Sequence, residues 1–327
     1  NISGTVYGFV NAGDNVSVTA TFSERVIVDN SSGNPTLTIV VGSDNRTATF
    51  ASGDNSTALV FGYTIQSGDN DTNGISIGQN ALDDNSSTIS DPAGNIPDNL
   101  THIAVSDNSS YKVDTTAPSV DNFTMSDTEL KIGDNATVTL VFSETVCVDS
   151  SACGGVVFSN ADITIQTGSL TTMTTSDDNK TWSGTFTPTD DREAPSNTLS
   201  LGTGYTDLAG NNGPDNQTAN YEVDTREPTV SVSITSAAGK LTHNGYGFVN
   251  AGDNVSVTAT FSETVIVDNS SGNPTLTIVV GSTDRTATFV SGDNSTQLVF
   301  QYTIQATGTS GENDSNGISI GANAIAL

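Results

Sequence analysis

Residues 7–66, opening YGFVNAGDNVSVTATFSE, recur almost unchanged at 246–305. Across those 60 positions six differ: Arg25/Thr264, Asp44/Thr283, Asn45/Asp284, Ala51/Val290, Ala58/Gln297 and Gly62/Gln301. After a four-residue insertion the match resumes at NGISIG. A diverged relative lies between the copies: IGDNATVTLVFSETV (132–146) aligns with AGDNVSVTATFSERV (12–26), and DLAGN (207–211) with DPAGN (91–95). A repeat of about 110 residues means like modules in series, each with a core of its own. The expected modules are 1–116, 117–226 and 227–327, in the order A–B–A′. The last copy stops at Leu327, near the counterpart of Leu82, and the first has no counterpart of SVSITSAAGKLTHN. Both ends are expected to be cut from a longer array, the first module lacking its first strand, with edges that a neighbouring chain could complete.

Within a module the apolar residues alternate. Val16, Val18, Ala20 and Phe22 face one way, and Ser17, Thr19, Thr21 and Ser23 the other. That period of two belongs to a half-buried strand. PTLTIVV, TATF, LVFGYTI and GISIG continue the pattern, and no segment has a helical period. Roughly seven short strands per module, separated by turn residues, predict an all-β fold of tandem Greek-key β-sandwiches joined end to end. That order puts GDN (Asp14, Asp134, Asp253) in the first turn. It puts FSE (Glu24, Glu144, Glu263) and the AGN loops at the opposite end. VDTTAP (113–118) and VDTREP (223–228) are then the joints. Asp114, Glu144, Asp207 and Asn211 converge at the first joint. The alternative for all of these is a polar residue capping a turn.

Nine Lys and Arg face 37 Asp and Glu, a net charge of −28. Such a surface disfavours nucleic acid and anionic membranes as partners. It needs salt or bound cations to offset self-repulsion, and carboxylate and amide oxygens suit Ca²⁺. Only two cysteines occur, Cys147 and Cys153. Without a zinc ligand set they predict a small loop disulfide, hence an oxidising extracellular setting, with two free thiols as the alternative. No run of about 18 apolar residues could span a membrane. No signal peptide opens the sequence, so a mature or excised fragment is expected.

A second Ca²⁺ candidate is DNDTNG: Asp69, Asp71, Asn73 and Gly74 fit the early positions of an EF-hand-like loop, with Asn80 in the twelfth place. The third module offers Glu312, Asp314, Asn316, Gly317 and Asn323. The alternative is an Asn-Gly turn. Asp14 and Asp134 are further candidates. Seventeen Asn-x-Ser/Thr sequons, Asn15, Asn30, Asn55 and Asn254 among them, follow from composition. His102 and His243 are isolated. Trp182 is expected in a core rather than against a sugar. Asp190 and Asp191, read as strand neighbours, point to opposite faces. No nucleophile, phosphate loop or catalytic set is visible.

VDTTAP, GDN…FSE, SNADITIQTGSL, WSGTFTP and DLAGN together resemble the bacterial Ig-like repeats of large secreted surface proteins, adhesins above all. The resemblance covers essentially the whole chain. It implies Ig-like β-sandwiches that space an adhesive tip from the cell, with Ca²⁺ stiffening the joints through Asp114, Glu144, Asp207 and Asn211, and through Asp224 and Glu263. The second joint departs from the pattern, because the third module has no AGN loop. The Gly-rich calcium nonapeptide of many secreted proteins is absent. The expectation is a non-enzymatic extracellular rod whose partners are its own neighbouring modules, and identical chains if it forms a fibre. The alternatives are a surface-layer or filament subunit completed by strand exchange, and a carbohydrate-binding module.

Overall fold

A computed structural model describes residues 8–97, 99–149, 156–177, 179–243, 246–306 and 312–326. Among these the backbone is strand and turn, with one short 3-10 turn at Asn160–Asp162. The chain falls into two units, Asn1–Thr225 and Arg226–Leu327. The first unit holds two buried clusters, one drawn from Val10 to Val113 and one from Phe123 to Val223. The second holds one, from Val257 to Phe300. Alternation builds each cluster: in Ala136–Phe142, Ala136, Val138, Leu140 and Phe142 are buried while Thr137 is exposed.

In the first module six strands form one sheet, in the order Leu82–Asp83, Thr36–Val41, Asp44–Ser52, Ser56–Thr64, Asn15–Asp29, Thr88–Ser90. A second layer pairs Phe9–Val10 in parallel with Lys112–Val113. In the second module the entering strand is split, which alternation alone does not reveal. Val120–Met125 pairs with Ala136–Phe142 in one sheet. Glu129–Lys131 then crosses over and pairs in parallel with Tyr221–Asp224. One segment thus closes an edge of both layers. In the second unit Val230–Ala238, Asn254–Val265, Ser295–Thr303, Thr283–Ser291, Thr275–Val280 and Ser319–Ala326 form another six-stranded sheet.

The core of the second module is aromatic. Phe158 meets Trp182 edge-on with centroids 4.8 Å apart, and Phe142 lies 5.0 Å from Tyr205. Trp182 is 8% exposed and donates its indole N–H to the Asn179 carbonyl, so it is a core residue as expected. Cys147 is fully buried and disulfide-bonded, whereas Cys153 lies outside the described residues. Asp190 and Asp191 sit in the bend between Thr181–Pro188 and Glu193–Asn197 rather than in a strand; the chain reverses there, with Asp191 at φ 54°.

One polar lock recurs in the first and third modules. The Asp69 carboxylate accepts from Arg46 Nε (2.7 Å), the Tyr63 hydroxyl (2.6 Å) and the Gln66 N–H (2.9 Å). In the third module Glu312 accepts from Arg285, Tyr302 and the Gln305 N–H. The glutamate accompanies a loop four residues longer, and its extra methylene reaches the same three donors. Burial, then the neighbouring carboxylate, pushes the Tyr63 and Tyr302 phenols up to about 12. Asp69 is 2% exposed, so removing it strands a half-buried guanidinium and a hydroxyl. Asp69→Ala is expected to destabilise the first module by about 3 kcal/mol. Amide exchange in Thr36–Val41 and Ser56–Thr64 measures it, with Thr275–Val280 of the third module as the unchanged control.

Candidate metal centre at the first joint

The phrase VDTTAP is built outward from its valine. Val113 is 1% exposed and exchanges both backbone hydrogen bonds with Asp71 (2.7 and 2.8 Å). The next N–H, of Asp114, donates to the Val10 carbonyl at 3.0 Å. Thr115 then pegs the linker to its own module: its N–H donates to Asn70 Oδ1 (3.1 Å) and its hydroxyl accepts from the Gly68 N–H (2.9 Å). VDTREP repeats the device, with the Thr225 hydroxyl accepting from the Arg192 N–H and donating to the Thr189 carbonyl. On the far side Ser119 exchanges backbone and side-chain hydrogen bonds with Ser143 of FSE. Thr229 and Ser262 do the same in the second unit.

Asp207 reaches the joint through its loop. Val146 and Asp207 form a bridge, which holds the AGN turn beside FSE. Asp207 Oδ1 accepts from the N–H groups of Ala209 (2.8 Å) and Asn211 (2.9 Å), and Oδ2 from Asn211 Nδ2 (2.8 Å). The same Asn211 amide donates across to the Asp114 (3.0 Å) and Thr116 (3.2 Å) carbonyls. The four residues therefore meet, but in different roles. Three present carboxylates, and Asn211 presents N–H groups that bolt the linker to the loop.

Among the described residues, Asp114, Glu144 and Asp207 are the one group of three His, Cys, Asp or Glu whose ligand atoms lie within 4.8 Å of one another. Oxygens bound to a single Ca²⁺ at about 2.3–2.6 Å stand at most about 5 Å apart, so the spread fits one ion. The electrostatics point the same way. Burial, with Asp114 and Asp207 close by, raises Glu144 to about 7, and Lys180 only partly offsets this. Asp207 is also raised, by burial first, against the lowering effect of the Asn211 hydrogen bonds. An all-oxygen, anion-rich set suits a hard cation rather than zinc. A six- to eight-fold shell would need carbonyls and waters as well.

The other candidates are arranged differently. Asp14, Asp134 and Asp253 each accept the N–H three residues back, from Asn11, Lys131 and Asn250. GDN is thus a turn closure, and its glycine takes φ of 85–96° where a side chain would be strained (Gly13, Gly133, Gly252). In DNDTNG, Asp69 forms the lock described above. Asp71 accepts from the Gly42, Asn73 and Gly74 N–H groups. Asn73 donates its side-chain amide to Asp107, and Asn80 Oδ1 accepts from the His102 N–H. The Asp69, Asp71 and Asn80 side-chain oxygens thus already face protein donors. In the third module Asp314 likewise accepts from Gly281, Asn316 and Gly317. His102 accepts from the Ala81 N–H at Nε2, while Nδ1 lies 2.8 Å from the Ile103 carbonyl. Asp224 ends the strand Tyr221–Asp224 of the first unit, and Glu263 lies in Asn254–Val265 of the second. Sequence reasoning missed the pegs, Asn70 and Thr115; the threonine repeated in both VDT phrases was the available signal.

Residues 114–223 match the family model of the bacterial Ig-like domain. The match runs from Asp114 in the first joint to the buried Val223, a third of the chain, and takes in the whole candidate centre except the groups that orient Asp114 from the first module. This Ig-like module is the one whose entering strand is shared between both layers. No curated protein matches the chain. Among solved structures the chain is similar to FdeC, described as a broadly conserved Escherichia coli adhesin eliciting protection against urinary tract infections. Identity is 12%, over 93% of this chain and 87% of that one, with a TM-score of 0.28.

Glu144 binds its proton more tightly folded than unfolded, because its folded value of about 7 exceeds the ordinary 4.5. Without divalent cations, stability at this module therefore falls as pH rises from about 4.5 through about 7. Glu144→Gln is expected to flatten that slope and to raise cation-free stability at neutral pH. Trp182, the chain's one tryptophan, reports unfolding of this module by fluorescence.

Proposed function

We propose that this chain is a load-bearing spacer of a bacterial cell surface, made of Ig-like modules and lacking catalytic activity. In this reading Ca²⁺ bound by Asp114, Glu144 and Asp207 fixes the first joint. The observation that carries it is the convergence of one linker carboxylate with two from the following module, in a place where burial and then the two neighbouring acids hold Glu144 at about 7. The family match of residues 114–223 supports the surface role, and Cys147 in a disulfide supports an oxidising setting. The aromatic side chains of the matched module, Trp182, Tyr205 and Tyr221, are core residues, which favours a spacer over a sugar-binding module. No helix among the described residues is long and apolar enough to cross a membrane.

A bound divalent ion would supply the positive charge that the three carboxylates lack. Asp114 would bring the linker to that charge, Asp207 and Glu144 the module, and Asn211 would hold the two together while the ion exchanges. Binding to the folded state alone adds about 2.7 kcal/mol when the free ion is at a hundred times its Kd. Calorimetric titration with Ca²⁺ is expected to give a site that Asp114→Ala abolishes, and chelation is expected to lower the Trp182 unfolding midpoint and broaden small-angle scattering. Identical titrations for the wild type and Asp114→Ala would overturn the joint as the binding site.

A further inference from the structure

Asn73–Gly74 in DNDTNG and Asn316–Gly317 in its third-module counterpart are chemically labile dipeptides. The glycine backbone nitrogen can attack the asparagine Cγ. Ammonia leaves, and water opens the resulting succinimide to aspartate or to isoaspartate. Glycine has no side chain to shield that nitrogen. The first module nevertheless requires both residues. Gly74 is buried at φ 104°, and a Cβ there would sit 1.9 Å from the Asn108 carbonyl oxygen. Asn73 donates its side-chain amide to the Asp107 carboxylate. Deamidation would set a second carboxylate against Asp107, or lengthen the backbone by one methylene as isoaspartate. The damage would fall beside the first joint. Asp71 exchanges both backbone hydrogen bonds with Val113, and the Ile75 N–H donates to the Tyr111 carbonyl at 3.0 Å.

Two residues ahead of each asparagine stands an aspartate aimed at the attacking nitrogen. Asp71 Oδ1 accepts from the Gly74 N–H at 2.7 Å and from the Asn73 N–H at 3.2 Å. Asp314 Oδ1 accepts from the Gly317 and Asn316 N–H groups, both at 2.9 Å. The local sequences differ, DTNG against DSNG, and the third-module loop is four residues longer, yet the arrangement is the same. Attack needs the glycine nitrogen without its proton. A carboxylate holding that N–H opposes the step in two ways. A charge-assisted hydrogen bond is lost, and a nitrogen anion forms beside an oxygen anion. The third described Asn-Gly, Asn212–Gly213, has a neutral acceptor: the Gly213 N–H donates to the Tyr205 carbonyl at 3.0 Å.

We infer that Asp71 and Asp314 are protecting residues, which keep Asn73 and Asn316 from forming a succinimide. The cation-loop spacing of DNDTNG then has a chemical role of its own. The carboxylate that such a loop would turn toward an ion faces the glycine nitrogen instead. The inference stands apart from the proposed metal joint, because none of its residues is a ligand there.

The test is prolonged incubation of the intact chain at mildly alkaline pH, with aspartate and isoaspartate at Asn73 and Asn316 measured by peptide mass spectrometry. The same chain unfolded in urea is the unprotected reference. Native Asn73 and Asn316 are expected to react on the order of a hundredfold more slowly than in urea. Asp71→Asn keeps a hydrogen-bond acceptor and removes its charge. It is expected to speed the reaction at Asn73 roughly tenfold and to leave Asn316 unchanged, with Asp314→Asn doing the reverse. Amide hydrogen exchange at Gly74 and Gly317 needs the same loss of a proton, and it reads the wild-type chain with no substitution made. Strong protection of both is expected. Equal rates in native and unfolded chain, no acceleration at Asn73 in Asp71→Asn, or an unprotected Gly74 N–H would each overturn the assignment. Acceleration of both asparagines by either single substitution would do so too, since that marks general unfolding rather than loss of a local guard.

Discussion

A carboxylate accepting backbone N–H groups is the interaction that recurs at many of the described turns. It closes the GDN turns through Asp14, Asp134 and Asp253, and the AGN loops through Asp91 and Asp207. It pins the hairpin glycines Gly42 and Gly281 to Asp71 and Asp314. It fastens Val28 to Asp54, and Val267 to Asp293 in the copy. A chain with few cations can carry many acids because main-chain dipoles serve as their partners. Hydrogen bonds favour the ionised carboxylate: the side chains of Ser31, Asn95 and Thr181 first, and backbone N–H groups second, shift Asp29, Asp91 and Asp177 down, while for Asp268 the Ser270 N–H leads. The negative charge is therefore part of the fold's hydrogen bonding as well as a property of its surface.

The first joint departs from that rule. Asp207 has its donors, but Glu144 faces two other acids with only Lys180 nearby, and its shift is upward. A carboxylate of the kind that closes turns elsewhere is here buried beside two other acids and holds its proton more tightly. The linker cannot relieve it by moving, since Val113, Asp114 and Thr115 are each held by the preceding module. Rigidity on one side and crowded charge on the other are the two features on which the proposed cation joint rests.

Much of the architecture could be read from the sequence. The alternation of Val16, Val18, Ala20 and Phe22, and of Ala136 to Phe142, follows directly from a pleated strand with one buried face. The convergence of Asp114, Glu144 and Asp207 was also legible, because strand count and direction fix which loops share an end. What could not be read was the partner of each polar atom. DNDTNG has the spacing of a cation loop, but Arg46 and Tyr63 approach Asp69 from strands more than twenty and only six residues away, and that approach is tertiary. Asn211 looked like an oxygen donor, yet two linker carbonyls turn its amide nitrogen inward. The splitting of the entering strand leaves little periodic trace, since its second half, Glu129–Lys131, is only three residues long.

The parallel pairing of Phe9–Val10 with Lys112–Val113, and of Glu129–Lys131 with Tyr221–Asp224, has a mechanical meaning. Where the segment entering a module and the segment leaving it run side by side in the same direction, tension on the two ends slides one past the other. All the hydrogen bonds between them then carry load together, instead of parting one at a time as in an antiparallel hairpin pulled from its open end. Each such pair continues straight into a VDT phrase, so the strongest direction of the module is the direction in which the chain is threaded.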